Sequence, residues 1–371
     1  MANTRTYWCG QSGVVRRLTD FTFPWVSVNI SNTQVSLNDI KTDPTDNQKV
    51  FTVGTGNTIQ VSSNAGGIWS TPGGGYLAYP TAEWHEVWPI DPLNIVAVGS
   101  LGLVAISNDG GLTFGIPNPI AFPNTGSVRA VHFLTPLIGV VGYDDKAFKT
   151  IDGGLTWIPL NSGLGLISVP FVGVITQING IHISQGGTDI IVNANTEIWR
   201  STDSGTTFQS VYKYYHPLGP IFVAVGRHLT WYSDNELWGI GDFNVITRST
   251  NGGASWVTAK DAFPSYSNDP AGHFYTTKDG FYNIAENLYS TSDADTNLTP
   301  VFSDTTGFVE IPPAAVWTAL PGPCYNLLAC GGRPFPLLVD NDLSLLVGQV
   351  VMVDGACYTV QLAQSCQGAV T

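Results

Sequence analysis

The chain has 371 residues, with 15 Lys and Arg set against 28 Asp and Glu for a formal net charge of −13, and only 12% of its residues are charged. An acidic chain whose basic residues are scattered, apart from the pair Arg16 and Arg17, has no stripe to neutralise phosphates, so neither nucleic acid nor an anionic membrane surface is expected as a partner. No apolar run reaches the roughly 20 residues of a spanning helix, so no membrane insertion is expected, and 41 Gly, 23 Pro and 11 Trp describe short aromatic strands joined by tight turns, an all-β class.

In chain order, Met1 to Gly10 has no apolar segment behind a basic start, so no secretory leader is expected and the chain is read as folding where it is made. The stretches Thr6–Gly10 and Val14–Arg17 read as strands, followed by a degenerate turn centred on Asp20 and ending on Trp25. Five closely matching turns come next. They begin at Ser62, Ser107, Thr150, Ser201 and Ser249, carry Asn64, Asp109, Asp152, Asp203 and Asn251 two residues on, place Gly66, Gly111, Gly154, Gly205 and Gly253 two further on, and end on Trp69, Phe114, Trp157, Phe208 and Trp256. The pattern is Ser/Thr-x-Asp/Asn-x-Gly-x-x-Trp/Phe. Its chemistry is that of a hairpin turn in which the carboxylate or amide oxygen collects backbone N–H groups, glycine supplies positive φ, and the aromatic ring packs beneath. A last degenerate copy stands at Ser290 to Asp293.

With starts at 18, 62, 107, 150, 201, 249 and 290, the copies lie 41 to 51 residues apart, the length of a four-stranded propeller blade. Strands are predicted before each turn at Phe51–Val53 and Thr58–Ser62, Val96–Gly99 and Leu103–Ser107, Gly139–Gly142 and Ala147–Thr150, Ile190–Asn193 and Glu197–Ser201, and Leu237–Ile240 and Asn244–Ser249. The expected fold is a seven-bladed β-propeller over residues 1–320. Its first blade lacks an inner strand, which Ala315–Leu320 or Phe308–Ile311 would supply to close the ring. Residues 321–371 read as a separate small β module for attachment or docking. They hold Cys324, Cys330, Cys357 and Cys366; spacing alone does not decide whether Cys330 and Cys357 bond, and free thiols are the default.

The five turns resemble the Asp-box (BNR-repeat) propellers, a superfamily that includes sialidases, sortilin-type receptors, xyloglucan-cleaving glycosidases and a photosystem II assembly factor, and the likeness runs over roughly residues 5 to 305. It implies the propeller and leaves the function open, since these proteins do unrelated things. In the tail, Asp342-Leu343-Ser344, Val347-Gly348 and Cys357-Tyr358-Thr359-Val360 resemble short modules of virion proteins from crAss-like bacteriophages.

A sialidase needs an arginine triad, but Arg17, Arg200 and Arg248 occupy matching places just before their turns and read as rim residues. A glycosidase needs two carboxylates on one cleft. Glu is scarce, and Asp39, Asp43, Asp144 and Asp145 read as solvated turn carboxylates. His85, His132, His182, His228 and His273 fall about 17 to 22 residues before a turn, in the inner strands, where imidazoles bonded to neighbouring backbone are the plain reading and an axial metal or anion site the functional one; no metal and no cofactor is expected. Tyr212, Tyr214, Tyr215 and His216 form the aromatic patch chosen as a binding surface.

These readings point to a non-enzymatic bacteriophage virion component. It would dock on other virion proteins through the tail module, present the propeller to a host glycan or protein, and be oligomeric in the particle. The alternative is a carbohydrate-active enzyme, sialidase-like or another glycoside hydrolase, on an Asp-box propeller.

Overall fold

The computed structural model describes residues 34–117, 122–160, 177–194, 197–213, 228–231, 233–241 and 245–260 continuously, and beyond these the strand segments at 5–10, 13–19, 26–29, 272–274, 280–284, 287–291, 299–303, 308–310, 324–329, 334–338, 350–353 and 356–362. The architecture is all-β and propeller-like, a succession of three- and four-stranded antiparallel sheets, each made of strands consecutive in the chain except the first, which takes one strand from residues 308–310.

The second sheet holds Leu37–Thr42, Val50–Gly54 and Thr58–Ser62, and the third Trp84–Pro89, Ile95–Gly99 and Val104–Ser107. The fourth runs Val128–Phe133, Gly139–Tyr143, Lys146–Thr150, Ile158–Pro159, and the fifth Ile178–Ile183, Ile190–Ala194, Glu197–Ser201, Gln209–Lys213. The sixth runs His228–Trp231, Leu237–Ile240, Ile246–Ser249, Val257–Lys260, and the seventh Gly272–Phe274, Gly280–Ile284, Asn287–Thr291, Thr299–Ser303. In the first, Phe308–Glu310 lies beside Arg5–Gly10, which pairs with Val14–Thr19 and then Val26–Asn29, with Cys9 opposite Glu310 and Gly10 opposite Phe308. The strand drawn back to the N-terminal sheet is thus the earlier of the two segments proposed from the sequence; Ala315–Leu320 lies outside the described residues. In the tail, Cys324–Ala329 and Ala356–Leu362 form the centre of a four-stranded sheet edged by Pro334–Leu338 and Val350–Val353.

The second strands of the second to sixth sheets are buried along their whole length because both of their faces are covered, and they are apolar apart from Thr52 and Asn193. Ile95 and Ala97 pack with Phe51, Val53 and Ile59 of the preceding sheet, whereas Val96 and Val98 pack with Val131 and Val141 of the following one. The same alternation sends Val140 toward Ile181 and Val192, and Ile191 toward Leu229 and Leu237. Sandwiching these second strands between neighbouring sheets removes most of their apolar surface from water, at about 25 cal/mol per Å², and sets the sheets face to face.

Candidate functional site on the inner strands

The five turns share one hydrogen-bond scheme. In the turn at 107, Gly111 N donates to Ser107 Oγ at 2.8 Å, Ser107 Oγ lies 2.8 Å from Asp109 Oδ1, Thr113 N donates to Oδ1 at 2.9 Å and Thr113 Oγ1 to Oδ2 at 2.6 Å. Asp152 and Asp203 repeat it with Thr156 and Thr207, while Asn64 and Asn251 use their amide oxygens on Ile68 N and Ser255 N. The threonine hydroxyl, more than any other contact, holds the Asp109 carboxyl down to about 2. These carboxylates are consumed by their own turns. Asp20 lies outside the described residues.

All five predicted histidines fall in the first strand of their sheets, but not in one register. His132 pairs with Val140, His182 with Ile191 and His273 with Phe281, each one residue before the pair that ends the hairpin ladder. His228 sits three residues from that end, and His85 lies at the bulge between Trp84 and Glu86. The place in register with His132 and His182 is taken in the earlier sheets by Lys41 and Trp88. Hairpin loops of unequal length separate these strands from their turns, so distance along the chain does not resolve register. Of the aromatic patch, Tyr212 is described, its hydroxyl 2.5 Å from Thr258 Oγ1, and Tyr214, Tyr215 and His216 are outside the described residues.

The register positions converge on a ring cluster. His132 and His182 stack at 4.8 Å between centroids; Trp88 meets His132 edge-on at 4.6 Å; Trp231 lies 4.6 Å from His132, 4.4 Å from His182 and 5.6 Å from Trp88. Trp88 belongs to the third sheet and Trp231 to the sixth, so their contact, across two intervening sheets, marks where the inner strands meet. Both indoles are half-buried and both imidazoles buried. Trp88 Nε1 donates to Phe133 O at 3.1 Å, and His132 Nδ1 accepts from Ile183 N at 3.0 Å, which leaves the His132 proton on Nε2. His182 Nε2 lies 3.4 Å from Asp234 Oδ1 without a hydrogen bond's alignment, and its Nδ1 finds no protein partner among the described residues. Burial lowers both imidazoles, reinforced at His132 by His182 and opposed at His182 by Asp234. Asp234 is lowered in turn, chiefly by His182, and its Oδ2 accepts Gln185 N at 2.8 Å.

Sequence reasoning missed two carboxyl groups on strands beside this cluster, Asp39 buried and Glu86 half-buried. Asp39, expected as a solvated turn residue, is fully buried in a strand, its Oδ2 accepting Val87 N of the next sheet at 2.8 Å and its Oδ1 accepting Ile40 N at 2.7 Å and facing Lys41 Nζ at 3.1 Å. Glu86 accepts Val131 N at 2.8 Å, again from the next sheet, and burial, with Asp39 adding to it and Lys41 opposing, pushes its carboxyl up to about 8. The signal available was parity: Asp39 with Lys41 and Glu86 with Trp88 are two apart and share a strand face. Asp43 does sit in a turn, holding Thr45 and Asp46, though it is buried. Arg200 pairs with Asp189 at 2.6 Å and Arg248 with Glu236 at 3.1 Å, on separate sheets and not as a triad. Among the described residues, no group of three or more His, Cys, Asp or Glu is placed to hold a metal ion.

No family model matches the chain, and no curated protein matches it either. Solved structures do, at the level of fold. YCF48 from Cyanidioschyzon merolae is 14% identical with a TM-score of 0.54, over 78% of this chain and 92% of that one, and YCF48 bound to D1 peptide is 15% identical with a TM-score of 0.52, over 71% and 80%. The GH74 xyloglucanase from Xanthomonas campestris is 11% identical with a TM-score of 0.59, over 92% of this chain and 57% of its own, so this chain spans little more than half of that enzyme. The resemblance to these propeller-like folds is distant. It corrects two expectations. The non-enzymatic expectation is withdrawn: the fold is one that a GH74 xyloglucanase has as well as YCF48, so it does not set this chain apart from catalytic proteins. The bacteriophage virion expectation is withdrawn as well: the structures this chain resembles are YCF48 and a GH74 xyloglucanase, and neither supports a virion role.

Proposed function

We propose that this chain is a carbohydrate-active protein of the glycoside hydrolase class, built on a seven-bladed Asp-box propeller over residues 1–320 that Phe308–Glu310 closes, with residues 321–371 as a separate β module. What carries the reading is Glu86. Hydrolysis of a glycosidic bond needs two carboxyl groups, one of them still holding its proton near neutrality, beside a surface on which a sugar can rest, and Glu86 is read as that acid. Glu86 is held up to about 8. One of its oxygens is committed to Val131 N, and it stands two residues from Trp88 on the same strand face, next to the indole and imidazole cluster. The likeness to a xyloglucanase fold supports the class of chemistry.

The test is release of reducing ends from a panel of soluble β-glucans, by wild type and by Glu86→Gln. Activity in the wild type that falls by two or more orders of magnitude in Glu86→Gln, with glycan binding retained, supports the assignment, that loss being of the size general acid catalysis contributes, roughly 10²–10⁴-fold. Equal activity in both proteins removes Glu86 from the reaction, and no release from any glycan removes the hydrolase reading.

A further inference from the structure

The ring cluster is unlike the apolar cores between the sheets. Two half-buried indoles from non-neighbouring sheets meet over two buried imidazoles, and a carboxylate stands at their edge with 37% of its side chain exposed. Its position on the molecule follows from the turns. Asp234 lies in the hairpin loop between His228–Trp231 and Leu237–Ile240, and the next residue, Asn235, accepts Gly252 N of the turn at 249, just as Leu93 O accepts Gly110 N and Leu137 O accepts Gly153 N. The cluster therefore opens on the side of the sheets that bears the Asp/Asn turns.

We propose that Trp88, Trp231 and the two imidazoles form the floor of a subsite for an uncharged pyranose ring, with Asp234 at its rim accepting sugar hydroxyls. This rests on the carbohydrate reading and names where, and which kind of sugar, the protein holds. An indole face offers the C–H face of a pyranose a large apolar contact at little entropic cost. Here the Trp88 ring is already fixed by its bond to Phe133 O, so little ordering remains for the ligand to bring about. His182 Nδ1, on a side chain 3% exposed, is a buried polar atom without a partner among the described residues, and a hydroxyl or a water carried with the sugar would satisfy it. Charge selects against acidic sugars. Lys41 already faces Asp39, the imidazoles are held neutral by burial, and the rim is a carboxylate. A uronic or sialic acid would meet like charge at that rim.

The experiment is calorimetry and tryptophan fluorescence with cellotetraose and with tri-galacturonic acid, on wild type, Trp231→Ala, Trp231→Phe and Asp234→Asn, each variant checked by its thermal melt. Cellotetraose should bind and shift the tryptophan emission. Trp231→Ala should weaken it by about tenfold, Trp231→Phe by less, and Asp234→Asn by severalfold, in line with one aromatic contact and one hydrogen bond. Should Trp231→Ala misfold, Trp231→Phe and Asp234→Asn decide the matter between them. Cellotetraose binding that is untouched by these variants overturns the subsite and leaves the carbohydrate reading intact. Equal or tighter binding of tri-galacturonic acid overturns the selectivity, and if neither saccharide binds, the subsite falls while reducing-end release still tests the hydrolase reading.

Discussion

His132 Nδ1 accepts the amide hydrogen of Ile183 across 3.0 Å, from the first strand of one sheet to the first strand of the next. Asp39 does the same to Val87 and Glu86 to Val131. An inner strand has an unpaired edge toward the axis, and its N–H groups need acceptors once water is excluded. Three successive sheets meet that need with a side chain of the preceding sheet, so the groups beside the candidate site also join the sheets to one another.

Replacing His132 by Leu should therefore do more than alter a core contact. It leaves Ile183 N without its acceptor, at about 1–3 kcal/mol for an unsatisfied buried donor. Replacement by Asn, which keeps an acceptor on a shorter side chain, should recover part of that. Chemical denaturation of the two variants checks the order; equal stabilities would mean that water reaches Ile183 N when the imidazole is gone.

The buried imidazoles and Glu86 act on stability from opposite sides of the pH scale. A histidine lowered in the folded state, as His132 and His182 are by burial and His85 is, to about 3, by burial and Arg129, contributes fully above its unfolded pKa. Below about 6.5 the unfolded chain takes up protons that the folded chain refuses, and stability falls by up to about 1.4 kcal/mol per pH unit for each such group. Glu86, raised to about 8, keeps a proton that the unfolded chain loses above 4.5, so stability also falls as pH rises from there through 8. Melting temperature against pH should show both limbs, and Glu86→Gln should flatten the upper one alone. An unchanged upper limb in that variant would mean that Glu86 is ionised in the folded protein.

Two glycines contrast a strained, tightly packed position with an open one. Gly111 has φ 84°, and a Cβ there would meet Phe51 Cε1 at 2.8 Å and Val61 Cγ2 at 3.2 Å, both from the preceding sheet. Gly111→Ala should cost about 1–3 kcal/mol through left-handed strain and overpacking together. At Gly73 a Cβ would find only Thr113 Cγ2 at 3.8 Å, and Gly73→Ala should fall within about 0.5 kcal/mol of wild type. A comparison of urea midpoints is sufficient, and similar losses at both sites would refute the packing argument.

The turns were legible in the sequence because their chemistry is local: Ser107, Asp109, Gly111 and Thr113 find one another within a few residues, and the spacing is fixed by covalent geometry. The inner strands were legible as strands but not as a site. His85 belongs to the repeat by count and to a bulge by register, while Trp88 and Lys41, which share the register of His132, have nothing in their chain positions to mark it. Trp231 reaches Trp88 across two sheets, a contact between residues 143 positions apart (231 − 88) that no local pattern encodes. Asp39 looked like a turn residue because aspartate is common in turns. Its burial rests on Val87 N, which belongs to another sheet.

The pairing of Phe308–Glu310 with Arg5–Gly10 gives the fold a long-range dependence that can be measured. Tyr7 and Cys9, in the strand so covered, are fully buried and pack with Leu37, Ile40 and Val50 of the second sheet, so that strand joins its neighbour on one side and Phe308–Glu310 on the other. A chain ending after Ser303 loses the pairing and leaves Arg5–Gly10 as an open edge over an apolar cluster, a template for aggregation. One ending after Leu320 keeps it. The shorter chain should melt several degrees lower and lose solubility on concentration, while the longer should melt close to the full-length protein, since a loss of about 1 kcal/mol moves the midpoint of a large domain by a few degrees. Light scattering alongside the melts separates the two effects. Identical melts for both truncations would show that the N-terminal sheet is held by its packing on the second sheet without the returning strand.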